Sequence, residues 1–208
     1  MDAIANGVAQ AAIDEAMMQR CIELSATATQ HGEFPFASLI CVGREIVAEA
    51  TNRVAQDHDV TQHAELLAIS KAQQTLRRKD LSDCTIYSNI EPCVMCSFPI
   101  RETRIARVVF AIRSPLMGGV SKWNVLRDAE ISNVMPEAFG PVPETIAGLL
   151  QHEAENVWWK WNPAIWCVIK YRGCFAAARE RCEHKPAIPL QLSFMRRILM
   201  QYRNRHSI

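Results

Sequence analysis

Hydrophobic positions in the first half of the chain change period between helix-like and strand-like spacing. Residues 8–30 predict an amphipathic helix because their apolar positions recur every three or four residues. Residues 36–42 and 45–50 predict two strands, and the intervening Gly43 predicts the turn of a hairpin. The chain is therefore expected to begin with a helix followed by an antiparallel strand pair.

The alternation continues through residue 112. Helical spacing over residues 61–76 precedes a short strand at 84–88, and Pro92 then opens another helix, where its missing N–H is tolerated. Residues 106–112 are rich in valine and predict a further strand. Strands that alternate with helices in this way are typical of a layered α/β domain.

The pattern weakens after Ser114, where glycines and prolines interrupt it. Helical spacing returns over residues 145–160 and again, with many basic side chains, over residues 190–202. We therefore predict a principal domain over residues 1–135. A helical C-terminal extension over residues 136–208 is expected to pack on or near the functional site.

Composition narrows the classes of function. The 208 residues are 49% hydrophobic, enough for a sizeable core, and the net charge is only +1, which argues against a dedicated nucleic-acid-binding protein. No apolar run reaches the length of a membrane span, and Asp2 near the start of the chain does not fit a secretory signal. We therefore expect a cytoplasmic protein that does not contact membranes.

Two short motifs carry the chemistry, and each lies where a predicted helix begins. His63 and Glu65 form the first motif, and Pro92 followed by Cys93 and Cys96 forms the second. One imidazole and two thiolates make a three-ligand zinc set that leaves a fourth position open, as catalytic zinc sites do. Glu65 beside such a site is suited to carrying protons.

These residues match the H-x-E…P-C-x-x-C pattern of zinc-dependent nucleobase deaminases. The chain resembles the cytidine-deaminase-like superfamily, in particular its guanine, tRNA adenosine and fungal-type cytosine deaminases. The resemblance spans residues about 8–112 and is carried by five short segments: residues 32–37, 51–53, 63–65, 91–96 and 104–110.

The resemblance implies a three-layer α-β-α fold with a five-stranded mixed sheet. It also implies a homodimer with one zinc ion per chain, held by His63, Cys93 and Cys96, and a proton shuttle at Glu65. By the same resemblance, the amide of Asn52 and the backbone N–H of Ala64 face the substrate.

Five tryptophans lie in the second half of the chain, at positions 123, 158, 159, 161 and 166. One interpretation is that they stack on a flat base, with Trp123 as the candidate for substrate contact. The other, which ordinary burial preferences favour, places them in the core or in a dimer interface.

A histidine as the first ligand resembles the branches that act on free bases or tRNA, rather than the small free-cytidine deaminases. We expect a free nucleobase as substrate, guanine first and cytosine or another aminated heterocycle next. A tRNA substrate would need a basic surface, to which Arg101, Arg104, Arg107 and residues 77–79 offer a contribution. The small net charge and the long C-terminal half outside the resemblance argue against a tRNA substrate. The further metal-binding residues that deoxycytidylate deaminases usually carry upstream are not found in this sequence, which argues against a nucleotide substrate.

Three other interpretations remain open. The Cys93–Cys96 pair alone also fits a thioredoxin-like redox motif. A structural zinc site would need a fourth ligand, for which Cys84 and His58 are the nearby candidates. A non-catalytic zinc-containing module is disfavoured by the presence of Glu65.

Overall fold

The computed structural model describes residues 2–175, with side chains from residue 7 onward. The strands are β1 (Ala37–Val42), β2 (Glu45–Thr51), β3 (Cys84–Ile90), β4 (Arg107–Ile112) and β5 (Glu144–Ala147). The helices are α1 (Asp2–Ala28), α2 (Val54–Asp57), α3 (Ala64–Leu76), α4 (Val94–Glu102), α5 (Ala129–Val134), α6 (Gln151–Trp161) and α7 (Pro163–Tyr171). The helix predicted over residues 190–202 lies outside the described residues.

The five strands form one sheet in the order β2-β1-β3-β4-β5. β1 pairs antiparallel with both β2 and β3, whereas β3, β4 and β5 run parallel. The predicted α/β fold with a five-stranded mixed sheet is confirmed. The parallel arrangement brings the carboxyl ends of β3 and β4 to the same edge of the sheet, so the segments that follow them meet there.

Helices cover both faces of the sheet and enclose two separate apolar cores. On one face, α1 and α6 pack around Trp158, which is fully buried, stacks on Trp166 at 5.4 Å and meets the ring edge of Phe36 at 5.1 Å. On the other face, α3 and α4 contribute buried side chains that include Ala68 and Ile100. The interpretation of the tryptophans as core residues is confirmed for Trp158 and Trp166.

The helix predicted over residues 145–160 was wrong in its first third, because Glu144–Ala147 forms the edge strand β5. Thr145 and Ile146 pair with Val108 and Val109 of β4, an arrangement that suits β-branched side chains. The chain then turns at Gly148, whose φ is +88°, and α6 starts only at Gln151.

The division between residues 1–135 and the extension 136–208 stays a prediction. The described part of that extension supplies one edge strand and two helices, and Trp158 from it packs against Phe36 from the first part. Within residues 2–175, no helix combines the length and the apolar character needed to cross a bilayer.

Candidate metal centre and active site

Two helices begin next to each other beside the sheet. His63 immediately precedes α3 and Cys93 immediately precedes α4, and both have extended backbone, with φ and ψ of −73° and 145° at His63 and −69° and 172° at Cys93. The first N–H groups of a helix lack intrahelical acceptors and carry positive partial charge. The two helix starts therefore favour a thiolate and other anionic groups at this point.

The predicted ligand atoms lie within hydrogen-bonding range of one another. Nδ1 of His63 is 3.6 Å from Sγ of Cys93 and 3.4 Å from Sγ of Cys96, and the two sulfur atoms are 3.5 Å apart. Tetrahedral zinc with ordinary Zn–S and Zn–N bond lengths would place such atoms roughly 3.5–3.8 Å apart. The donor set and its spacing therefore fit zinc.

The two thiols differ in their acidity. The hydrogen bond from Cys96 lowers the pKa of Cys93 to about 4, with His63 contributing and burial opposing. The same hydrogen bond, together with burial, raises the pKa of Cys96. The hydrogen bond with Cys93 raises the pKa of His63 as well, against the effect of burial. The surroundings therefore favour the thiolate at Cys93, one of the two that the zinc set requires.

Glu65 lies on the first turn of α3 and is 8% exposed. Ser88 on β3 donates a long hydrogen bond of 3.4 Å to its Oε1. Burial raises the pKa of Glu65, and the negative charge at Cys93 raises it further. A carboxyl group in this setting, beside the ligand set, is placed to take up and release a proton.

Asn52 and Ala64, both predicted to face the substrate, lie near the start of α3. Asn52 follows the end of β2, and the N–H of its neighbour Arg53 donates to the Gln62 carbonyl at 3.0 Å, just before His63. Ala64 is the first residue of α3 and is 1% exposed. The fold thus brings both to the start of α3.

Trp123 lies on the loop after β4, and its backbone N–H donates to the carbonyl of Gly118 at 3.1 Å. Gly118 forms an isolated β-bridge with Cys93. The Trp123 side chain is 54% exposed, with the ammonium group of Lys122 5.9 Å from its ring centre. The structure therefore gives Trp123 an exposed ring on the loop that packs against the second ligand.

Sequence reasoning assigned no role to Glu91, whose hydrogen bonds hold the loop after β4 in place. Its carboxylate accepts hydrogen bonds from the N–H groups of Ser114, Val120 and Ser121 and from the Ser121 hydroxyl, at 2.6–2.9 Å. Glu91 directly follows the fully buried strand β3, and although it is a charged residue it is itself only 2% exposed. A charged residue directly after a strand whose seven residues are all buried is a local sign of a buried carboxylate, but it does not reveal the partners.

Glu33 is a second buried carboxylate that sequence reasoning left without a role. It is 1% exposed, and it accepts a hydrogen bond from the side chain of Asn52 at 2.7 Å. The two residues are 19 positions apart, so nothing in the local pattern indicates the contact.

Residues 11–112 match the model of the cytidine and deoxycytidylate deaminase zinc-binding region. The tRNA-specific adenosine deaminase of Aquifex aeolicus is 36% identical over 118 residues, which cover 56% of this chain and 78% of that protein. The probable cytosine deaminase of Schizosaccharomyces pombe is 35% identical over 127 residues, covering 61% and 72%. The solved guanine deaminase from Nitrosomonas europaea superposes with a TM-score of 0.56 at 26% identity, covering 72% of this chain and 84% of that one.

The chain therefore belongs to the cytidine-deaminase-like superfamily of zinc-dependent deaminases. It is a zinc-dependent hydrolase that acts on carbon–nitrogen bonds, and the grouping of His63, Cys93 and Cys96 is suited to the metal. The family membership removes the thioredoxin-like interpretation of the two cysteines.

Proposed function

We propose that this protein deaminates a free nucleobase hydrolytically, converting guanine to xanthine and ammonia. His63, Cys93 and Cys96 hold one zinc ion, and Glu65 transfers the protons. The observation that carries the proposal is the buried Glu65 beside three metal-ligating atoms that all lie within 4.8 Å of one another.

When bound, zinc supplies Lewis-acid activation of the attacking water. Glu65 accepts a proton from that water and delivers it to the departing amine, so the same carboxyl group serves both half-reactions. The amide of Asn52 and the N–H of Ala64 orient the base through hydrogen bonds. Trp123 stacks on the base from the loop after β4.

The arginines that the sequence offered for an RNA surface support a small substrate, because they are engaged within the chain. Arg101 is 1% exposed and donates to the carbonyls of Val125 and Asp128 at 2.7 and 2.8 Å. Arg107 pairs with Asp14 at 2.9 Å and with Glu144 at 2.7 Å.

Two of the other four basic groups, Arg78 and Arg104, are engaged as well, whereas Arg77 and Lys79 are exposed. Arg104 donates to the carbonyl of Pro136 at 2.9 Å, and Arg78 forms an ion pair with Asp83. Binding of a phosphate backbone depends on cations that are free to neutralise it. These arginines therefore add little to an RNA-binding surface.

The identity with the tRNA-specific adenosine deaminase of Aquifex aeolicus, 36%, favours tRNA as the second candidate substrate. The two candidates differ in salt dependence. Activity on tRNA should fall steeply between low and moderate salt, whereas turnover of a neutral base should change little.

The test is ammonia release by zinc-loaded protein from guanine, adenine, cytosine, their nucleosides and tRNA, at two salt concentrations. We expect guanine to be deaminated. Glu65→Gln should reduce kcat by at least about a hundredfold with zinc content unchanged, because it removes the proton carrier and leaves the ligands in place.

Glu45→Gln is the matched control, since Glu45 is an exposed residue at the start of β2. It should leave both activity and zinc content unchanged. Release of ammonia from tRNA alone would overturn the free-base proposal. Full activity in Glu65→Gln would overturn the role of the carboxyl group.

We also propose a homodimer. Three large apolar side chains near the second ligand support it: Phe98 is 44% exposed, Leu116 48% and Met117 43%. Phe98 lies on α4, and the carbonyl of Met117 accepts from the N–H of Val94 at the start of that helix. Exposed apolar groups on such adjacent segments are typical of interaction surfaces. Light scattering on the purified protein would measure the mass, and a monomer at micromolar concentration would contradict the proposal.

A further inference from the structure

Glu33 lies buried against Asn52 and the start of α2. Its Oε2 accepts a hydrogen bond from Nδ2 of Asn52 at 2.7 Å. Its Oε1 accepts from the backbone N–H groups of Ala55 at 2.8 Å and Gln56 at 2.9 Å. One carboxylate thus gathers three N–H donors, two of which belong to the backbone and are fixed in position.

This arrangement determines which way the Asn52 amide faces. An ionised carboxylate only accepts hydrogen bonds, so the NH2 group of Asn52 must point toward Glu33 and the carbonyl oxygen Oδ1 must point away. Oδ1 accepts no hydrogen bond from the described residues. Oδ1 is not fully enclosed either, although Asn52 is only 5% exposed, because the fully buried, unpartnered side-chain atoms of the described residues are Arg101 Nε and Trp158 Nε1.

We propose that Glu33 is a positioning residue that holds the Asn52 amide with its oxygen toward the substrate, and that this oxygen selects bases that present a ring N–H. The inference rests on the proposed function, which places Asn52 against the base. Guanine and cytosine as free bases carry ring N–H donors. The ring nitrogens of adenosine in RNA are acceptors or are bonded to ribose, so adenosine lacks this donor.

The change Glu33→Gln tests the orientation with almost no change in shape. Oε1 of the new glutamine is retained by the N–H groups of Ala55 and Gln56, so its Nε2 must face Asn52. The Asn52 amide then turns over and presents NH2 to the substrate instead of oxygen. The NH2 group of Asn52 then faces the ring N–H of guanine, and neither donor finds an acceptor. We therefore expect kcat/KM for guanine to fall on the order of 10- to 100-fold.

A reciprocal second change should restore the acceptor. In the double variant Glu33→Gln with Asn52→Asp, Nε2 of glutamine 33 donates to one carboxylate oxygen at position 52, and the other oxygen faces the substrate. Asn52→Asp alone places two carboxylates in contact and should also lose activity. We expect the double variant to exceed each single variant at least about fivefold in kcat/KM, because it alone regains a charge-assisted pair.

Asp80→Asn is the control, because Asp80 also accepts a backbone N–H, that of Ser82 at 2.9 Å, in an exposed turn. It should match the unchanged protein in kcat/KM. Zinc content and Tm, measured for every variant, separate misfolding from loss of substrate contact. A merely structural role for Glu33 predicts no recovery in the double variant, and that result would overturn the proposal.

A second measurement needs no turnover. The side-chain amide signal of Asn52 in a ¹⁵N NMR spectrum, identified by its loss in Asn52→Asp, should shift when Glu33→Gln removes the charged acceptor. An unmoved signal with unchanged kcat/KM would overturn the positioning role. If the unchanged protein deaminates no free base, the proposed function and the substrate class fail, while the NMR shift still decides the orientation.

Discussion

At the scale of single residues, the loop that packs against Cys93 requires glycine at position 118. A Cβ at Gly118 would lie 2.1 Å from Oε1 of Glu91 and 2.3 Å from its carboxyl carbon. The carboxylate has no room to retreat, since four hydrogen bonds hold it. We expect Gly118→Ala to destabilise the protein by about 1–3 kcal/mol, the usual cost of overpacking, and to weaken zinc binding through Cys93.

Urea denaturation and a competition assay for zinc would measure the two effects. Gly7→Ala is the matched control, because a Cβ at that helical glycine meets nothing within 4 Å. It should be neutral or slightly stabilising, as alanine is the better helix former. Equal stability of the two variants would show that the loop adapts without Glu91.

At the same scale, the sequence predicted the residues that repeat a known chemical pattern and missed those that support them. His63, Cys93 and Cys96 stand at spacings that chemistry alone makes interpretable. Glu33 and Glu91 act through partners 19 to 30 positions away, and only the fold brings those partners near. A single sequence holds no sign of such contacts.

At the scale of elements, Asp14 connects α1 to the sheet. It is 5% exposed, pairs with Arg107 of β4 at 2.9 Å and accepts a hydrogen bond from Tyr87 of β3 at 2.6 Å. Burial raises the pKa of Asp14, but the hydrogen bonds from Arg107, Tyr87 and Gln10 outweigh it and hold the pKa below its ordinary value.

A carboxyl group with a lowered pKa in the folded state stabilises the fold above its unfolded pKa, and this contribution is lost as the pH falls through the folded value. Asp14→Asn should therefore lower the free energy of unfolding at pH 7 by about 3 kcal/mol, the lower end of the range for removing one partner of a buried pair, because Arg107 is partly exposed. The difference should shrink below about pH 4. Urea denaturation at both pH values measures it.

Asp57→Asn is the comparison, since Asp57 pairs with Arg53 at the surface. Its effect should be much smaller than that of Asp14→Asn at either pH, because solvent screens the exposed pair. A constant difference between Asp14→Asn and the unchanged protein from pH 7 to pH 3 would contradict the assigned role of the ion pair.

The sequence predicted some secondary-structure elements better than others. The strands β1, β3 and β4 were found because each is largely buried, and β2 was found as the hairpin partner of β1 across Gly43. β5 was missed because it has four residues, none of them fully buried, and its neighbours Leu149 and Leu150 extend an apolar pattern that continues into α6. Its strand conformation depends on pairing with β4, which is a tertiary effect.

At the scale of the whole molecule, the metal site and the cores are distinct. Neither core cluster contains His63, Cys93 or Cys96. A strong chelator should therefore leave the protein folded at room temperature while lowering its Tm. The lost binding contributes about 3–4 kcal/mol when free zinc exceeds its Kd a hundred- to a thousandfold.

Circular dichroism with and without chelator would follow both quantities, and added zinc should restore the Tm. His63→Ala should show the lower Tm from the start and no response to the chelator. Global unfolding of the unchanged protein on chelation at room temperature would contradict the independence of the cores.

The hydrogen bonds of Glu91 have a consequence for how such a protein diversifies. The carboxylate joins the zinc-ligand segment to the loop after β4 through Ser114, Val120 and Ser121, and Trp123 lies just beyond that attachment. Substitutions or insertions after Ser121 leave these hydrogen bonds of Glu91 intact. A lineage can therefore remodel the loop beside its metal-ligating residues while it inherits those residues intact.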